Sequence, residues 1–151
     1  MPYHYRVTAR SQAKPETVYT LLLLGVTWPA WSPIDSVEIE GGGDPAERQD
    51  VGDTRIFRTG RAVSRERVTE LVTDRRFVYE NEGGPFRSYR GSVELAEAPH
   101  GGTDITWAAD FEPKLPGTGR LWEWYLTRYM RRMAEGLAAY AGTAADHGTA
   151  G

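Results

Sequence analysis

The sequence predicts an α+β fold, a curved seven-stranded antiparallel sheet around a long C-terminal α-helix, with two short helices after the first strand. Three observations predict it. Apolar and polar residues alternate over 3–10, the period of a strand with one buried face. Residues 54–111 divide into five strand-like runs separated by turn residues at hairpin spacing. Residues 119–141 then carry apolar side chains at helical spacing.

In the first strand Tyr3, Tyr5, Val7 and Ala9 share one face, opposite His4, Arg6, Thr8 and Arg10. Pro15 suits the first turn of a helix, where its missing N–H costs nothing, and Glu16 suits the positive end of the helix dipole. This helix is expected to run to about Leu24, to be covered on more than one side, and to end at Gly25. Prolines 29 and 33 then limit the next segment to one tight helical turn carrying Trp28 and Trp31, a lid or a plug. Val37 and Ile39 mark a second strand, and residues 41–52 a polar loop. The glycines of that loop lack the lysine and hydroxyl of a P-loop, and no helix follows them.

The five later runs are 54–59, 65–72, 76–81, 86–97 and 103–111. Tyr89, Gly91, Val93 and Leu95 share a face of the fourth, and Ile105, Trp107, Ala109 and Phe111 a face of the fifth. In the last helix Trp122, Leu126, Tyr129, Met133, Leu137 and Tyr140 form a stripe flanked by Tyr125 and Met130. Arg120, Glu123, Arg128, Arg131, Glu135 and a lone Trp124 lie opposite. The order is β-α-α-β6-α, with one ligand-binding domain over residues 1–141 and a flexible tail over 142–151. Such a sheet closes well at one end and leaves a cavity at the other.

Composition removes several chemistries. The 151 residues hold no cysteine and three histidines, with 18 Lys+Arg against 21 Asp+Glu for a net charge of −3. Thiol nucleophiles, disulfides and zinc–thiolate sites are therefore excluded. His4, His100 and His147 are too scattered for a metal cluster, His100 falls on a hairpin turn, and there is no Gly-x-Ser-x-Gly, so neither metal nor cofactor is expected. Mild acidity and mixed charge argue against nucleic acid. The absence of a long apolar run argues against membrane insertion, which leaves a cytoplasmic monomer or homodimer as the expectation.

The chain resembles the helix-grip superfamily of START domains, pollen-allergen-like (SRPBCC) proteins and, most closely, bacterial polyketide cyclase/dehydrase-like proteins. The resemblance is carried by Pro15-Glu16-Thr17-Val18-Tyr19, Trp28, Trp31-Ser32-Pro33, Val51-Gly52-Asp53-Thr54, Glu66-Arg67-Val68-Thr69-Glu70, Arg76-Phe77-Val78-Tyr79 and Gly101-Gly102-Thr103-Asp104-Ile105-Thr106-Trp107. It implies a cavity for a small hydrophobic or aromatic, polyketide- or lipid-like molecule, with cyclase or dehydratase chemistry as the activity the resemblance offers.

Five Trp, eight Tyr and four Phe supply the candidate lining. It comprises Trp28, Trp31, Phe57, Phe77, Tyr79, Tyr89, Trp107, Phe111, Trp122, Leu126 and Tyr129. The candidate acid–base residues are Tyr79, Tyr89 and Glu66, with Arg58 or Arg90 as a cation for an enolate. In the 65–72 run Glu66, Val68 and Glu70 share a face opposite Arg67, Thr69 and Leu71, and sequence leaves open which looks inward. The competing reading of Glu66 is an exposed ion pair with Arg55, Arg58 or Arg90. A different class of function, a protein-interaction module with a vestigial cavity, would use Trp124 and the arginine face.

Overall fold

A computed structural model describes residues 2–99 and 101–149, with side chains described through residue 143. His100 and the His147 side chain lie outside that description. Strand β1 (Tyr3–Ser11) leads to α1 (Pro15–Leu23), a 3-10 turn (Gly25–Thr27) and α2 (Trp28–Trp31). Strands β2 (Ser36–Ile39), β3 (Thr54–Thr59), β4 (Ala62–Val72), β5 (Arg76–Glu82), β6 (Phe86–Glu97) and β7 (Thr103–Pro113) precede α3 (Gly119–Thr149).

All seven strands form one antiparallel sheet in the order β1-β7-β6-β5-β4-β3-β2. The meander follows the turn chemistry. Gly60, Gly83 and Gly84 take positive φ at hairpin tips, and Asp74 takes it (φ 60°) in the β4–β5 turn. Inward residues pair across strands, as in Tyr5↔Ala109, Tyr89↔Phe111 and Val93↔Trp107, and bury one continuous core against α1 to α3.

The 65–72 phase is corrected by a bulge. β4 pairs Val68 with Tyr79 and Glu70 with Val78, so Thr69 is an extra residue in the strand. Glu66 and Val68 therefore face the core with Tyr79, whereas Glu70 turns to the outer face and pairs with Arg76 at 3.0 Å. Leu71 returns inward beside Phe77.

Two helical expectations also change. α1 ends at Leu23, close to the expected end, but Leu24 is extended (φ −100°) and Gly25 is not a left-handed cap. Its constraint is space, since a Cβ there would lie 2.9 Å from Val37, and its N–H donates to Gln49 Oε1 at 2.7 Å. The buried stripe of α3 is rotated, with Met130, Ala134, Leu137 and Ala141 along its centre, Trp122 and Tyr140 at its margin and Tyr125 exposed. Small residues cause this by letting the helix come close. Ser11 Oγ on β1 donates to the Ala138 carbonyl at 2.8 Å, and a Cβ on Gly136 would sit 2.1 Å from the Trp31 carbonyl oxygen. The backbone of α3 is helical through Thr149.

Candidate ligand-binding site

Between the concave face of the sheet, α2 and α3 lies a hollow of about 140 Å3. Its apolar wall is built from Trp28, Ile34, Phe57, Leu126, Met130 and Met133. Polar side chains from β3, β4 and β5 form the opposite strip, namely Thr59, Ser64, Glu66, Asn81 and Tyr79. Trp107, Phe86, Tyr89 and Tyr129 complete the lining. Larger hollows lie on the outer surface, and one of about 330 Å3 between Arg6, Arg76, Arg90 and Glu94 is open and edged by the Arg76–Glu94 salt bridge.

Of the aromatic and aliphatic residues expected to line a cavity, Trp28, Phe57, Tyr79, Tyr89, Trp107, Leu126 and Tyr129 meet here, together with Glu66. Trp31, Phe77, Phe111 and Trp122 do not, and each has a packing reason. Trp31 stacks behind Trp28 (ring centroids 4.5 Å apart) and donates its indole N–H to Thr27 Oγ1 at 3.2 Å. Phe77 lies beneath the Arg55 guanidinium, whose carbon is 4.8 Å from its ring centre. Phe111 is sealed among Tyr3, Tyr5, Phe86 and Tyr89, and Trp122 covers Phe86 from outside at 4.8 Å. Arg58 and Arg90, the sequence candidates for a cation, are exposed, and Arg58 lies 3.7 Å from Glu38.

The cation nearest the site is Arg55, which sequence reasoning missed. The parity of β3 held the signal, because Arg55 shares a face with Phe57 and Thr59. It is completely buried, 4.6 Å over Trp28 and 5.0 Å over Phe57, and it donates through Nη1 to the Leu22 carbonyl at 2.7 Å. That carbonyl belongs to the last turn of α1, so the guanidinium occupies the negative end of a helix dipole inside a three-ring cage. Trp28 Nε1 donates to the same oxygen at 3.2 Å. Burial lowers the Arg55 pKa to about 10, against the opposing pull of Glu66, so it stays charged at neutral pH.

Glu66 is the cross-strand neighbour of both Arg55 and Asn81. The residue as a whole keeps intermediate exposure, but Oε1 is sealed and has no hydrogen-bond partner; the same holds for Arg55 Nε and Nη2. Burial raises the Glu66 carboxyl to about 7, the Arg55 charge pulling the other way. Asn81 Nδ2 donates to Ser64 Oγ at 3.2 Å beside it. Below this strip runs a phenol network. Trp107 Nε1 donates to the Tyr79 hydroxyl at 2.9 Å, and the Tyr5 and Tyr89 hydroxyls are hydrogen-bonded to each other. Burial raises the pKa of Tyr5, Tyr79 and Tyr89, so the phenols remain protonated and act as donors rather than as bases. Among the described residues no cluster of three metal-ligating side chains occurs.

Known structures share this architecture. A START superfamily protein from Mycobacterium smegmatis superposes with a TM-score of 0.74 at 15% identity, over 90% of this chain and 94% of that one. Ara h 8.0201 gives 0.72 at 15% identity, over 95% and 99%. The protein XoxI from Bacillus cereus gives 0.71 at 19% identity, over 90% and 93%. Among curated proteins, no sequence matches this chain. Residues 3–142 match the family described as polyketide cyclase / dehydrase and lipid transport. With this fold around an aromatic hollow, that match points to a domain for a hydrophobic ligand, and it makes the chain a member of the polyketide cyclase / dehydrase and lipid transport family.

Proposed function

We propose that the protein binds a small hydrophobic or aromatic molecule in the hollow between sheet and α3, its polar edge turned to the Glu66 strip. The observation that carries this reading is the pairing of an aromatic-lined interior with a sealed carboxyl oxygen that has no partner. A buried acceptor without a bond costs roughly 1–3 kcal/mol, and a ligand hydroxyl or amide N–H recovers part of it. Size narrows the class, since an apolar cavity of about 150 Å3 holds one benzene ring. A single ring therefore fits the hollow as it stands, whereas fused rings require α3 or α2 to move.

Isothermal titration calorimetry with phenol, benzene and naphthol tests the reading. Phenol is expected to bind more tightly than benzene. Glu66→Gln, which keeps the shape but loses the carboxylate, should reduce that preference. A protein that takes up none of the three has an occluded core and sinks the proposal.

A second reading adds chemistry, and the poise of Glu66 near neutrality favours it. Glu66 removes a proton from the carbon next to a ligand carbonyl, while the phenol of Tyr79 or Tyr89 hydrogen-bonds the developing enolate oxygen. The indole of Trp107 donates to Tyr79, which leaves the Tyr79 proton free for donation. In a dehydration the captured proton passes to the departing β-hydroxyl and water leaves. Exchange of the α-hydrogens of a small bound ketone into deuterated water, followed by NMR, checks this step. Wild-type exchange no faster than that of Glu66→Gln reduces the function to binding alone.

A further inference from the structure

We propose that the outward face of the first four turns of α3 docks on the surface of an anionic lipid bilayer. Leu121, Trp124 and Tyr125 are 67%, 60% and 49% exposed, far more than core-forming side chains in the rest of the helix. At helical spacing they share a sector of about 100° with Arg128 and Arg132. Both arginines are exposed, and the Arg128 guanidinium carbon lies 5.2 Å from the Trp124 ring centre. Apolar and indole groups flanked by arginine are the composition that settles at the headgroup boundary.

Charge selects the occupant. The whole chain carries a net charge of −3, yet residues 119–143 hold four arginines against two glutamates. One of those glutamates, Glu123, turns away to accept the backbone N–H of His4 on β1, and the other, Glu135, lies in the same sector about one turn beyond Arg132, where it leaves the patch net positive. A second copy fits this face poorly, because a two-fold pairing sets this net-positive patch against itself. An anionic bilayer offers complementary charge and an apolar layer together.

The face is also continuous with the hollow. Tyr125 stacks on Tyr129 with centroids 6.0 Å apart, and Trp122 bridges Tyr125 to Phe86 at 6.0 and 4.8 Å. Tyr129 and Phe86 both line the hollow. Docking thus places the hollow next to the compartment in which apolar molecules concentrate, which extends the ligand-binding reading without requiring it. No helix among the described residues is long and apolar enough to cross a membrane, so the contact is with the surface.

The test is cosedimentation of the full chain with phosphatidylcholine vesicles that contain or lack phosphatidylglycerol. Wild type is expected to pellet with the anionic vesicles, to be released by high salt, and to remain in solution with the neutral ones. Two charge reversals, Arg128→Glu with Arg132→Glu, should lower the partition coefficient at least about tenfold. Trp124→Ser should lower it comparably, and thermal unfolding of each variant verifies that these exposed changes leave the fold intact. Failure of wild type to bind anionic vesicles overturns the proposal, as does binding indifferent to these substitutions. A Trp124-dependent dimer in sedimentation velocity, without vesicle binding, assigns the face to a second copy instead. Phenol binding measured without vesicles is untouched by any of these outcomes, so the two readings fail separately.

Discussion

Burial and the Arg55 charge push the Glu66 carboxyl in opposite directions, and burial dominates, lifting it to about 7 from an ordinary value of 4.5. The folded protein therefore holds the Glu66 proton more tightly than the unfolded chain does. Stability from this group is complete below pH 4.5 and is lost as pH rises through about 7. Denaturation midpoints of wild type should fall relative to Glu66→Gln across that window, by on the order of 2 kcal/mol given the residual exposure of the residue. A flat difference between the two proteins refutes the assignment. Arg55→Leu removes the charge that lowers the Glu66 pKa, so the proton should leave at still higher pH. Arg55→Leu with Glu66→Leu should be more stable than either single change, because neither charge is then stranded in the core. The inward position of Glu66 was not legible from alternation alone, as both faces of residues 65–72 carry charge. Arg55 was legible in principle, but parity with Phe57 competes with the general rule that arginine faces water.

At the scale of elements, glycines set how closely neighbours approach. Gly91 on β6 pairs with Tyr79 on β5, and a Cβ there would lie 2.3 Å from the phenol ring. Gly91→Ala should displace Tyr79 from its bond with Trp107 and cost about 1–3 kcal/mol in urea denaturation. Gly136→Ala meets the Trp31 backbone carbonyl rather than a side-chain end, and backbone gives less readily. Its cost should exceed that of Gly91→Ala despite the roughly 1 kcal/mol gained by alanine in a helix. The strands were readable because turn residues punctuate them and because period two survives along β6 and β7. The bulge at Thr69 was not, since one extra residue carries no compositional signal and its position follows from pairing with β5. The rotation of α3 escaped for a related reason. A hydrophobicity stripe weighs large side chains, whereas Ala134, Ala138 and Ala141 mark the true contact by being small.

Taken whole, the molecule sorts its five tryptophans into a buried group, a half-buried Trp122 against Phe86 and Tyr125, and an exposed Trp124. Trp28, Trp31 and Trp107 form one buried group, with ring centroids 4.5, 5.9 and 6.4 Å apart. Trp124 stands alone at the surface, 60% exposed. Indoles held this close and at fixed angles couple their electronic transitions, so the buried group dominates the near-ultraviolet circular dichroism. Two of its members, Trp28 and Trp107, touch the hollow, and an incoming ligand perturbs that signal directly. Emission from Trp124, and in part from half-buried Trp122 beside it, instead reports the outer face of α3, red-shifted in water and blue-shifted when that face is covered. The unlabelled chain is therefore its own two-channel sensor, one optical band following the interior and another the outer face of α3.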